Sequence, residues 1–165
     1  MKQLLHFSTF ALIISIFTIS CSGNKKTSKT PIREDLRGKW EVLSTSIEGV
    51  SASDKLIVTA LDDVDLACFV GSQWNLPNNG YGSYNITKQG CENGSRAILW
   101  SYRFKNNQPY FNFKFMDGVK KSQSKKVEEG YTFEVTDYDK GHFTAKSPLS
   151  FEGKTIYIVY NFRKL

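Results

Sequence analysis

From Ala97 to the last residues, apolar and aromatic side chains recur at every second position. Ile98, Trp100, Tyr102 and Phe104 alternate with Ala97, Leu99, Ser101 and Arg103. Phe111, Phe113 and Phe115 alternate with Asn112, Lys114 and Met116. The same pattern runs through Tyr131, Phe133 and Val135, through Phe143 and Ala145, and through Ile156, Ile158, Tyr160 and Phe162. In extended chain successive side chains leave on opposite faces, so a period of two is the mark of a strand with one buried face. The runs are short, and turn-forming pairs separate them at Asn106-Asn107, Asp117-Gly118, Lys140-Gly141 and Glu152-Gly153. Short alternating runs with a turn after each predict an antiparallel meander of five strands.

The first half adds three strands. One starts at Leu36-Arg37-Gly38-Lys39-Trp40, continues through Ile47 and turns at Glu48-Gly49. Ser72–Leu76 and Gly82–Ile86 flank Pro77-Asn78-Asn79-Gly80-Tyr81, where Asn-Gly offers the positive φ angles of a tight hairpin. Eight up-and-down strands lose their exposed edges by closing on themselves. The expected fold is therefore all-β, an eight-stranded antiparallel up-and-down barrel; a two-sheet sandwich of the same strands is the alternative. Between the first two strands, Leu56–Leu61 has strand propensity, whereas Ile57, Leu61, Val64 and Cys68 have helical spacing. A loop with a short helical segment near Leu61 to Leu66 is predicted there. Asp62, Asp63 and Asp65 lack the glycine and late glutamate of an EF-hand and read as a solvated acidic turn.

The N-terminus sets the compartment. Lys2 precedes an apolar run from Leu4 to Ile19 that is short for a membrane span and right for a secretory signal. Thr18-Ile19-Ser20-Cys21 resembles the bacterial lipobox, with Thr where Leu is usual; the resemblance implies cleavage before Cys21 and its diacylation. Two acyl chains are about what stable anchoring requires. Ser22–Arg33 is polar and basic, a composition that supports no core. The expected organisation is a signal peptide over 1–20, a lipidated tether over 21–33 and a barrel domain over 34–165. Ser22 after the cysteine implies the outer membrane of a bacterial envelope, and the tether has no acidic cluster of the kind that directs lipoproteins to the outer surface, which favours the periplasmic face. Loss of Lys2 lowers the net charge from +6 to +5, and much of the remainder lies in the tether. No nucleic-acid partner is expected. With Cys21 assigned to lipid, Cys68 and Cys91 remain, and an even pair in an oxidising compartment favours a disulfide over a metal site.

Two motifs point to a family. Gly38-x-Trp40 resembles the Gly-x-Trp signature of lipocalins. Cys68, Gly71-Ser72-Gln73-Trp74, Asn79-Gly80, Gly82-Ser83-Tyr84 and Cys91 together resemble the lipocalin-like domain of small bacterial lipoproteins. The resemblance implies that Trp40 plugs the closed end of the barrel and that Arg163, on the last strand, packs across it as a cation on a ring.

Catalytic chemistry is not apparent. His142 is the one histidine outside the signal, and neither a Gly-x-Ser-x-Gly elbow nor a P-loop is present. Glu128 and Glu129 lie in a charged turn beside Lys125 and Lys126. The expectation is a non-enzyme with no cofactor and no metal. Aromatic residues make up 14% of the chain and concentrate on strand faces. Trp74, Tyr84, Trp100, Tyr102, Phe111, Phe113, Phe133, Phe143 and Tyr160 are candidate inward residues. Of these Trp74, Tyr84, Trp100, Tyr102, Phe113 and Tyr160 are the candidate ligand contacts. An eight-stranded barrel holds either one small ligand or only its own side chains. One reading is thus a cup for a small apolar or amphipathic molecule. The other is a filled barrel that contacts another envelope protein or a polysaccharide.

Overall fold

The computed structural model describes residues 30–51, 56–116 and 130–165. The signal, Cys21 and the tether as far as Lys29 lie outside them, as do the Asp117-Gly118 turn and the Lys125–Glu129 charges. Eight strands close into an antiparallel barrel. In chain order the strands are β1 (Gly38–Glu48), β2 (Thr59–Ala60), β3 (Val64–Asp65), β4 (Gln73–Leu76), β5 (Tyr81–Ile86), β6 (Gly94–Lys105), β7 (Gln108–Phe115), β8 (Tyr131–Tyr138), β9 (His142–Phe151) and β10 (Lys154–Lys164). The barrel runs β1-β10-β9-β8-β7-β6-β5-β4, and β2 with β3 forms a separate small hairpin. Each barrel strand from β4 onward pairs with its successor, and β1 closes the ring between the last strand and β4. Trp40 is the seam: it stands opposite Lys164 on one side and Trp74 on the other.

The alternation places the core as the pattern demands. Ile98 and Trp100 on β6, Phe111 and Phe113 on β7, Phe133 and Val135 on β8, and Phe143 and Ala145 on β9 are all buried. Two bulges, between Val42 and Ser44 and between Val135 and Asp137, shift the register locally. The β6–β7 and β9–β10 connections are two-residue turns with both central residues at positive φ: Asn106 (51°) and Asn107 (61°), then Glu152 (49°) and Gly153 (75°). That is the turn whose twist suits a hairpin. The β4–β5 connection is wider than the expected Asn-Gly turn. Gly80 donates its amide to Pro77 O (3.1 Å), and in that loop only Gly80 has positive φ (81°).

The helical segment is also displaced. Of the predicted Leu61–Leu66, Leu61–Asp65 holds the turn and second strand of the β2–β3 hairpin, and a 3₁₀ turn follows at Leu66–Phe69. A four-residue helix, α1 (Arg33–Leu36), precedes β1. Contact with the barrel begins at Pro31, whose carbonyl accepts from Tyr102 Oη at 2.5 Å. The disulfide joins Cys68 in the 3₁₀ turn to Cys91 in the β5–β6 loop, across 23 residues.

Candidate functional site

The interior of the barrel is where the aromatic residues converge. Trp74 stacks on Tyr84 with centroids 4.5 Å apart. Phe113 and Phe162 meet the Trp74 ring edge-on at 5.4 and 5.6 Å, and Phe111 lies 6.2 Å away. Phe113 stacks on Phe133 at 5.6 Å, and Phe133 meets Tyr160 at 5.3 Å. Separations of this kind are those of rings in direct contact. Trp74, Tyr84, Phe113 and Tyr160 are at most 1% exposed. The middle of the barrel is therefore occupied by side chains.

Each end carries a closure. At the end where β1 begins, Trp40 Nε1 donates to Leu36 O (2.8 Å), fixing α1 across the opening, and Phe143 meets the Trp40 ring at 4.7 Å. Trp100 donates its indole N–H to Pro77 O (2.9 Å), and the Arg33 guanidinium lies 4.5 Å above its ring. Asp35 hydrogen-bonds Tyr138, whose hydroxyl burial and the nearby carboxylate push up to about 12.

At the opposite end the segment from Val58 to Ser72 folds inward as a plug. Ala60, Leu61, Val64 and Phe69 are buried, and the Phe69 ring reaches Tyr84 (5.7 Å) and Tyr160 (6.0 Å). Polar contacts hold the plug to the rim. Asp63 accepts from Tyr84 Oη (2.7 Å) and from Arg96 Nε and NH2, the closest approach being 2.9 Å. Tyr131 Oη lies 2.7 Å from Leu61 O and 2.8 Å from Asp62 Oδ2, its one proton shared between the two acceptors. Leu61 (58°) and Asp62 (49°) both take positive φ to make this turn. Burial, and then the carboxylate partners, raise the hydroxyl pKa values of Tyr84 and Tyr131 well above the ordinary tyrosine range. Burial likewise raises that of Tyr160, whose hydroxyl has no hydrogen-bond partner among the described residues.

Of the six residues proposed for ligand contact, the structure brings Trp74, Tyr84 and Phe113 into one cluster and joins Tyr160 to it through Phe69 and Phe133. Trp100 pairs with Phe113 across β6–β7 and joins the cluster through Phe111 (6.1 Å), while Tyr102 lies at the end covered by Pro31, whose carbonyl takes its hydroxyl. The Arg163 assignment needs correction. Phe162 points inward, so Arg163 points out, where its NH2 pairs with Glu41 Oε2 at 2.6 Å. Lys164, one position on, returns to the inner side and sets its Nζ 5.3 Å from the Trp40 ring. The acidic turn is likewise more than solvated charge, since the Asp63 side chain is only 15% exposed and salt-bridged to Arg96. The sequence does not single out Arg96 or Phe69, and Tyr131 reads there only as a strand residue. The one available signal was Tyr131 at the head of the β8 alternation.

Among the described residues no three His, Cys, Asp or Glu side chains gather at metal-binding distance. His142 opens β9, with Nδ1 3.4 Å from Asp139 in the preceding turn. The open spaces lie outside the ring cluster. One cleft of about 370 Å³ is lined by Arg103, Lys105, Asn106, Tyr110, Asn112 and Thr132 on the wall. Another of about 430 Å³ lies between β1 and the start of the plug. No protein-family model, curated protein or solved structure matches this chain.

Proposed function

We propose that this chain is a lipid-anchored envelope protein whose filled barrel serves as a rigid interaction module, contacting another envelope component through its outer surface and end loops. The observation that carries the reading is the stack of Trp74, Tyr84, Phe113, Phe133 and Phe162 across the barrel, with α1 over one end and the Val58–Ser72 plug in the other. A binding cup needs preformed volume; rings in contact leave none at that level. The lipocalin resemblance agrees with the eight-stranded architecture, and the lipobox at Cys21 supplies the anchor in this reading.

The test is native mass spectrometry of the full chain, purified in detergent from a bacterial host, together with titration by an apolar fluorophore. The expected result is a protein mass with no stoichiometric lipid beyond the anchor and no saturable fluorescence. A bound lipid at one per chain, lost on Phe113→Trp overpacking, returns the function to the barrel interior.

A further inference from the structure

We propose that the edge of β1 over Ser44–Glu48, left unpaired by the described residues, binds an extended peptide segment of a partner protein as an added strand. This rests on the interaction-module reading and names the class of partner. From Ser44 to Glu48 β1 pairs with β10 on one side. On its other side the pairing with β4 ends at Glu41, and the last bonds are Val42 N to Ser72 O (3.0 Å) and Gly71 N to Val42 O (2.8 Å). Beyond them the described residues give β1 no backbone partner on that side. An unpaired edge carries alternating N–H and C=O groups that template another strand. Proteins usually blunt such edges with lysine, proline or a covering segment. Ser44-Thr45-Ser46-Ile47 has neither lysine nor proline.

Beside this edge lies the cleft of about 430 Å³, lined by Thr45, Ser46 and Ile47 on one side and by Leu56, Ile57, Val58 and Leu66 on the other. Leu66 N donates to Val58 O (2.8 Å), which fixes the far wall. Ile57 is 88% exposed, between half-buried Leu56 and Val58. In strand addition the main chain supplies affinity, and pockets for alternate side chains supply selectivity. The apolar wall suits aliphatic residues at every second position. Asp65, also exposed on the wall, selects by charge for a basic residue beside them. A second copy pairing through the same edge is the other occupant, and the dimer control below separates it from a partner peptide. At ~3.3 Å per residue, the five positions from Ser44 to Glu48 match a peptide of about five or six residues.

The probe is a synthetic Lys-Val-Thr-Val-Thr-Val peptide, added to the full chain in detergent and followed by amide hydrogen exchange and by NMR shifts. Saturable binding is expected, with slowed exchange at alternate amides between Ser44 and Glu48. Methylating the peptide's backbone nitrogens abolishes binding, and Ile57→Glu weakens it about tenfold while leaving the spectrum otherwise native. Replacing the peptide's Lys with Glu weakens it further. Equal binding by the methylated peptide, protection outside β1, or no binding at all overturns the proposal. So does a concentration-dependent dimer that protects the same amides without peptide. None of these outcomes touches the barrel interior, so the interaction-module reading falls only to a stoichiometric interior lipid.

Discussion

Two buried tyrosines show how one hydroxyl can stabilise and another destabilise the same core. Tyr84 Oη donates at 2.7 Å to Asp63, a carboxylate already held by Arg96. Removing one partner of a charge-assisted bond costs about 1.5–3 kcal/mol. Tyr160 Oη is buried with no partner among the described residues, and an unsatisfied buried hydroxyl costs about 1–3 kcal/mol. Tyr160→Phe is therefore expected to raise the urea midpoint, whereas Tyr84→Phe lowers it, at an unchanged denaturant slope. A Tyr160→Phe variant less stable than the parent refutes the account of that residue. The cation on the Trp40 ring makes a related point. Arg163 was the natural choice from a family pattern, yet inward Phe162 fixes the parity of β10, so Lys164 is the cation able to reach the ring.

Among the elements, the strands were legible and the plug was not, for physical reasons. A long strand with one face in the core must alternate, and β6, β7, β8 and β10 do so over most of their length. β2 and β3 are two residues each, too short for any period to appear. Their turn places Leu61 and Asp62 at positive φ without glycine, a conformation that L side chains seldom adopt and that sequence therefore does not announce. It is sustained by the Tyr131 and Tyr84 hydroxyls, contacts 69 and 21 residues distant in sequence. Aromatic burial was legible residue by residue; whether the rings left room between them was not, because that depends on how eight faces interlock. The Gly82-x-Tyr84 motif has an element-level cause. A Cβ at Gly82 collides with Asn75 O on the paired strand, so β4 and β5 approach closely only with glycine there. Gly82→Ala is expected to cost about 1–3 kcal/mol, the range for overpacking a tight contact. Calorimetry checks it, and a loss within error shows that the strands simply separate.

For the whole molecule, the tyrosines set the alkaline limit. Tyr84, Tyr131, Tyr138 and Tyr160 are all held protonated, chiefly by burial, so the folded state keeps protons that the unfolded chain releases. Their contribution is complete below the ordinary tyrosine pKa of about 10. It is lost as pH rises from there toward the folded values, because the unfolded state then binds fewer protons. Stability is expected to fall steeply above about pH 10, with tyrosinate absorbance and loss of near-ultraviolet dichroism appearing together. Gradual ionisation of these hydroxyls in a barrel that keeps its dichroism contradicts the expectation. The seam at Trp40 has a further consequence, this time for kinetics. Because β1 is completed on one side by β10, its partner Lys164 lies almost the full length of the domain away. Contacts of such separation are formed late, after most of the loop entropy has been spent. A chain delivered amino terminus first can build its meander strand by strand as it emerges, but Trp40 stays uncovered until the last strand arrives, and that interval is when a companion that shields exposed indoles has most to protect.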